Sequence, residues 1–227
     1  MGNLAVIPAR GGSKRIPRKN IKEFLGKPII AYSIETALGC GLFEEVMVST
    51  DDEEIALLAE EYGAKVPFLR GKKNADDFAS TLNVLEEVVS EYRRRDRVFN
   101  YVCCLYPTAP FVRSEELALG FRMLVENEMD CVFPIVLFSY PVWRGMYVRN
   151  GRTQMVWPEY INSRSQDLQQ VYHDAGQWYW YNPIKIRDSL FTANTSSIIL
   201  KEEFVQDIDT LSDWKMAELK YRMINDL

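Results

Sequence analysis

The stretch VIPARGGSKRIPRKNIKEFLGKPII, Val6 to Ile30, sets seven basic side chains between two apolar runs, near the start of a 227-residue chain whose net charge is -5. The leading run, LAVIP at 4–8, reads as a buried strand, because a continuous apolar and β-branched stretch suits a sheet covered on both faces. The trailing run, IIAYSIETAL, carries helical spacing, with Pro28 at its opening and Gly39 at its end. A flexible basic loop between a strand and a helix is where α/β proteins hold phosphates. Gly11 and Gly12 let backbone amides approach phosphate oxygens, and Arg10, Lys14 and Lys19 neutralise charge. Neither the Walker spacing nor the dinucleotide fingerprint is present. A solvated basic loop, or a localisation-like patch in KRIPRKN, competes with the phosphate reading, and Arg15, Arg18 and Lys22 read as solvated charge.

Outward from this loop, short apolar runs alternate with helical patterns. EVMVST (45–50), AKVPFL (64–69), YVCCLY (101–106), CVFPIVLF (131–138) and GQWYWYN (176–182) read as strands. Between them, Asp51 is placed to cap a helix with Glu54 three residues on, and Gly63 closes it. Ser80 and Ser114 open two further helices, and SDWKMAELKYRMIND forms the last. This order implies one α/β domain over 1–227 with a mostly parallel sheet, right-handed crossovers and functional loops at the carboxyl ends of the strands. The alternation stops over about 139–175, a segment rich in aromatics, Arg and Gly. It reads as an inserted subdomain whose expected use is subunit contact.

Hydrophobic residues make up 47% and charged residues 26%, an ordinary globular balance that excludes collagen-like and disordered classes. The acidic balance argues against a broad nucleic-acid surface, so any basic site must be local. Cys40, Cys103, Cys104 and Cys131 fall in apolar segments without zinc spacing, which suits a reducing compartment. No run approaches the ~18 apolar residues of a membrane span, and the opening lacks a signal-peptide pattern. The expectation is a cytoplasmic protein with no membrane partner.

Near the end, VQDIDT holds Asp207 and Asp209 two residues apart. In an extended chain both carboxylates project to one side, where they can reach a hard cation such as Mg2+. The competing reading is helix capping by Asp209 or Thr210, with Asp213 three residues after Thr210. Residue types alone leave the two readings open.

Taken together, IPARGGSKRIPRKNIKEFLGKPIIAYSIETAL, VSTDDEEIALLAEEYGAKVPFLR, YPTAPF and VQDIDT resemble the bacterial CMP-sialic acid synthetase family, in order from Val6 to about Glu218. YPTAPF and NSRSQDLQQVYHDAGQWYW look most like its pseudaminic acid branch. The resemblance implies a Rossmann-like, three-layer nucleotidyltransferase fold of GT-A type, with an inserted dimerisation arm and a homodimer. It implies CTP and a nine-carbon 2-keto sugar acid as substrates, Mg2+ as cofactor, and transfer of CMP to the sugar's 2-hydroxyl with release of pyrophosphate. The family loop A-R-x-x-S-K-x-x-P-x-K-N is present as Ala9, Arg10, Ser13, Lys14, Pro17, Lys19 and Asn20. Carried over, Arg10 and Lys19 are the catalytic cations. Ala9, Gly11, Gly12, Ser13, Lys14, Asn20, Arg70 and Ser80 attend the nucleotide, and Asp207 and Asp209 hold the metal.

One departure bears on the sugar. Sialic acid synthetases usually carry Gln before Pro-Thr and an Arg soon after, whereas this chain has Tyr106 and then Phe111-Val112. Tyr106, Arg164, His173, Asp174 and Gln177 are the candidate sugar contacts. A structural role competes for His173, and a subunit salt bridge competes for Arg164. N-acetylneuraminate, legionaminate and 3-deoxy-manno-octulosonate remain rival substrates. A non-enzymatic nucleotide or nucleic-acid binder is the rival of another class, and the paired aspartates argue against it because they would repel a polyanion.

Overall fold

In the computed structural model, which describes residues 2–75 and 79–226, the run LAVIP lies within β1 (Asn3–Pro8). The chain passes through the basic loop and a short hairpin, β2 (Glu23–Phe24) and β3 (Lys27–Pro28), into α1 (Ile29–Gly39). β4 (Glu45–Ser49), α2 (Glu53–Glu61), α3 (Thr81–Arg93), β5 (Tyr101–Leu105), α4 (Ser114–Glu126) and β6 (Cys131–Leu137) continue the alternation. A second hairpin, β7 (Met146–Arg149) and β8 (Arg152–Met155), pairs only with itself. β9 (Tyr172–Asp174), β10 (Trp178–Tyr181), β11 (Thr195–Leu200) and α5 (Leu211–Asn225) follow.

The main sheet has seven strands in the order β11-β6-β10-β5-β1-β4, with β9 also on β6. β1 pairs in parallel with β4 and β5, and β11 pairs in parallel with β6. β10 runs antiparallel to both of its neighbours, β5 and β6. Its first residue, Trp178, therefore sits beside Leu105, the last residue of β5.

Alternate side chains feed two cores, as a period of two requires. Ala5, Ile7, Cys103, Leu105, Trp178 and Trp180 face α1, α2 and α4, whereas Leu4, Val6, Val102, Cys104, Tyr179 and Tyr181 face α3. These layers bear out the expected three-layer α/β architecture. α4 comes close to β10 because Gly120 has no side chain: a Cβ there would lie 2.4 Å from a ring carbon of Trp178. A third cluster joins α5 to the basic loop through Ile16, Phe24, Ile29, Phe111, Ile208 and Trp214.

Several expectations are corrected. AKVPFL is not a sheet strand; Lys65 makes one isolated parallel bridge to Met47, and Pro67, which lacks an N–H, cannot extend the pairing. The cap of α2 is Asp52, which accepts the Ile55 N–H, and this leaves Asp51 free for another task. Ser114 is the first helical residue of α4, with Arg113 before it and no side-chain cap. Ser80 does cap α3, in a reciprocal box with Asn83. All four cysteines are free thiols, and no helix among the described residues is long and apolar enough to cross a membrane.

Candidate active site

The basic loop is tied down at both ends. The Ala9 N–H continues the sheet by donating to the Ser49 carbonyl at 2.9 Å, and Ser13 N–H turns back to the Gly11 carbonyl at 3.1 Å. The buried Asn20 side chain donates to the Arg10 carbonyl at 2.9 Å, which fixes the backbone that carries Arg10. Midway, Ile16 is buried in the third core cluster while Lys14, Arg15 and Pro17 on either side are exposed. The space around Gly12 is open to 4 Å, so a ligand oxygen can come close to its amide. The loop thus stands at the carboxyl ends of β1 and β4, where an open α/β sheet binds ligands.

Ile16 and Ile208 share one cluster, and this brings the loop to the aspartates. Ile208 is buried between Asp207 and Asp209, so the two carboxylates flank an inward side chain and turn outward. Lys19 Nζ donates to the Ile208 carbonyl at 2.6 Å and lies 3.6 Å from Asp209 Oδ1. Arg15 lies 2.8 Å from Asp209 Oδ2. Burial and the charge of Asp209 push the Asp207 carboxyl above its ordinary value, and Lys19 opposes them. The helix cap is Thr210 with Asp213: each side chain meets the other's backbone N–H. Asp209 itself caps nothing with its carboxylate. Among the described residues no three His, Cys, Asp or Glu gather as a metal cluster.

At the end of β5, the Tyr106 hydroxyl shares a hydrogen bond with Thr81 Oγ1 at 2.9 Å, its ring meets the Tyr179 ring edge-on with centroids 5.6 Å apart, and burial pushes its pKa up to about 12. The Tyr179 hydroxyl donates to Asp174 Oδ2, and Asp174 Oδ1 accepts the Gly176 N–H at 2.8 Å. Gln177 joins the same edge: its carbonyl accepts the Tyr106 N–H at 2.8 Å, and its buried side chain donates to the Phe204 carbonyl at 2.6 Å. Arg70 is only 8% exposed, and its guanidinium donates to Ser49 Oγ and the Ser49 carbonyl. Burial lowers its pKa from the usual arginine value, and Arg10 is close enough for its charge to act in the same direction. Ser80 is exposed and its hydroxyl is engaged with Asn83.

Two further candidates are exposed. His173 is exposed, packs against Phe138 and meets the Asp174 carbonyl through Nδ1 at 2.9 Å. Arg164 is exposed in the excursion between β6 and β9 and pairs with Asp167 at 2.7 Å.

A cytidylyltransferase family model matches residues 4–204. The chain belongs to the cytidylyltransferase family. A pseudaminic acid cytidylyltransferase from Campylobacter jejuni is 42% identical over 230 residues, covering 98% of this chain and 97% of its own. A CMP-N,N'-diacetyllegionaminic acid synthase from Legionella pneumophila is 34% identical, covering 95% of this chain and 94% of its own. The solved CMP:2-keto-3-deoxy-manno-octonic acid synthetase complexed with CTP superposes with a TM-score of 0.70 at 18% identity over the full length of both chains, a likeness of fold.

In this cytidylyltransferase the side chains that read as solvated charge are engaged. Arg15 meets Asp209, Arg18 pairs with Asp52 and Glu54, and Lys22 lies over the Trp214 ring at 5.4 Å. Thr81 and Tyr179 also escaped the sequence reading. The position of Thr81, one residue after a cap at the N-terminus of α3, was the available signal for the first. Tyr179 gave none, because an aromatic in a strand reads as core.

Proposed function

We propose that this cytidylyltransferase transfers CMP from CTP to the anomeric 2-hydroxyl of pseudaminic acid and releases pyrophosphate. The observation that carries the reading is the meeting of Lys19 with Ile208 and Asp209, which unites a cationic, glycine-bearing loop with a carboxylate pair at the carboxyl edge of the sheet. The identity to the Campylobacter jejuni enzyme supports the choice of sugar.

The chemistry sets a charge problem, because an anionic sugar must approach a triphosphate. Arg10, Lys14 and Lys19, with the Gly12 amide, hold the phosphates and stabilise charge on the leaving pyrophosphate. Asp207 and Asp209 supply hard oxygen donors that fit Mg2+, and their mutual repulsion is what a cation would relieve. Two carboxylates complete its shell only with phosphate and water oxygens, so metal and nucleotide bind together. When bound, Mg2+ supplies charge neutralisation at the phosphates. Tyr106, hydrogen-bonded to Thr81 and packed against the Tyr179 ring, offers the sugar a fixed hydroxyl, with Gln177 bonded to its backbone. The segment between β6 and β9 serves as a dimerisation arm. Its apolar side chains Tyr147, Val148 and Ile161 are exposed, with Val148 at 71%, and a second copy covers them and receives Arg164 near its sugar site.

The test is pyrophosphate release from each nucleoside triphosphate, crossed with a panel of nonulosonic acids, with and without Mg2+. Release with CTP and pseudaminic acid is the expected result. Equal or faster turnover of N-acetylneuraminate would overturn the sugar assignment, and no release with any sugar acid would overturn the reading altogether.

A further inference from the structure

Beneath the loop lies a feature that no phosphate contact explains. The Gly11 N–H donates to Asp51 Oδ1 at 3.1 Å, and a Cβ on Gly11 would sit 2.4 Å from Asp52 Oδ2. The turn that would cradle the triphosphate therefore rests directly on two carboxylates, and Glu54 stands in the first turn of α2. Anionic groups at this distance, well inside a Debye length of ~8 Å at physiological salt, repel the ligand the loop would bind. Arg18 meets that difficulty. Its guanidinium reaches both oxygens of Asp52 and lies 2.6 Å from Glu54. It does so from a left-handed backbone, φ 55°, which costs a side-chain-bearing residue on the order of 1 kcal/mol and is held by these contacts. The next residue, Lys19, turns the other way, toward Asp209.

We propose that Arg18 is a positioning residue that braces the phosphate loop from below: it neutralises Asp52 and Glu54, two of the three carboxylates beneath the turn, and so lowers the negative charge that the triphosphate meets there. The inference rests on the proposed reading of this loop as the triphosphate site. Glycine at position 11 then has a reason other than approach to phosphate, since it makes room for the Asp52 carboxylate. Asp52 serves twice, because it also caps α2 by accepting the Ile55 N–H at 3.0 Å. Asparagine caps a helix as well as aspartate does, so Asp52→Asn separates the charge from the cap.

The experiment is calorimetric titration of CTP with Mg2+, without sugar acid, into the parent protein and into Arg18→Gln, Asp52→Asn, the double variant and Arg10→Ala, with a melting temperature for each. Arg18→Gln is expected to weaken CTP binding about tenfold, a change of about 1.4 kcal/mol. The weakening should shrink as salt is raised, since added ions screen the exposed carboxylates. Asp52→Asn alone should bind CTP at least as tightly as the parent, and adding it to Arg18→Gln should recover about threefold or more. Parent-like binding by Arg18→Gln would overturn the brace. So would a double variant no better than Arg18→Gln, or a defect that ignores salt and follows the melting temperature. If Arg10→Ala also binds CTP like the parent, the loop's phosphate role is what fails. If Arg10→Ala is impaired and Arg18→Gln is not, the brace alone falls.

Discussion

Arg15 and Asp209 are held 2.8 Å apart, so the basic loop and the last acidic motif meet through an ion pair as well as through Lys19. Because Thr210 and Asp213 form the helix cap between them, the carboxylates of Asp207 and Asp209 can be neutralised without removing it. The double change Asp207→Asn with Asp209→Asn should raise the Mg2+ concentration for half-maximal activity at least ~10-fold. The melting temperature should stay close to the parent's. An unchanged metal titration would remove the pair from the metal's shell.

Tyr106 offers a second test. Tyr106→Phe keeps the ring against Tyr179 but removes the hydroxyl that bonds Thr81. Loss of one such hydrogen bond is worth about 1 kcal/mol, or roughly fivefold. The change should appear in KM for the sugar acid while KM for CTP stays within about twofold. A rise in KM for CTP alone would place Tyr106 on the nucleotide side.

The excursion between β6 and β9 predicts a dimer by light scattering at micromolar protein. Asp at both Val148 and Ile161, which are exposed in the single chain, should yield monomer without loss of the main sheet's circular dichroism signal. A parent protein that runs as a monomer would count against the arm's assignment.

Acid stability should depend on Glu45, which is buried at the start of β4. Burial alone would raise its pKa, but the Tyr92 hydroxyl, Arg97 and Lys65 together hold it below the usual carboxylate range. A lowered folded pKa means the stabilisation is present above about pH 4.3 and is lost as pH falls through the folded value. Melting temperature should therefore drop on acidification below about pH 4. Glu45→Gln should be less stable at neutral pH, on the order of 1–3 kcal/mol, with a flatter acid limb. Parallel acid limbs in the two proteins would rule Glu45 out.

The fold was largely legible because most buried strands advertise themselves as apolar runs and most helices by their caps. Ser80 with Asn83 and Thr210 with Asp213 are such caps. Strand direction was not legible, since Trp178–Tyr181 has the same apolar pattern whichever way it runs. The β7–β8 hairpin carried a signal that was passed over: Asn150 and Gly151 both have positive φ, as a two-residue turn of the primed type requires. At the site, cation and carboxylate types pointed to phosphate and metal. Contacts set by tertiary approach stayed hidden, among them Arg18 on Asp52 and Ile16 beside Ile208. Arg164 illustrates the converse, a residue singled out by its motif that the structure pairs with a near neighbour in sequence, Asp167.

The antiparallel β10 also has a temporal meaning. β4, β1 and β5 form one group of strands and β6, β9 and β11 another, and β10 is the member hydrogen-bonded to both. A nascent chain can thus assemble the basic loop's half of the sheet early, yet β5 and β6 keep open edges until Trp178–Tyr181 arrives between them. Tyr179, on this joining strand, packs its ring against Tyr106 and donates its hydroxyl to Asp174. The half of the sheet that carries the basic loop can be in place before the half that carries Asp174, and one four-residue strand is the keystone that joins them.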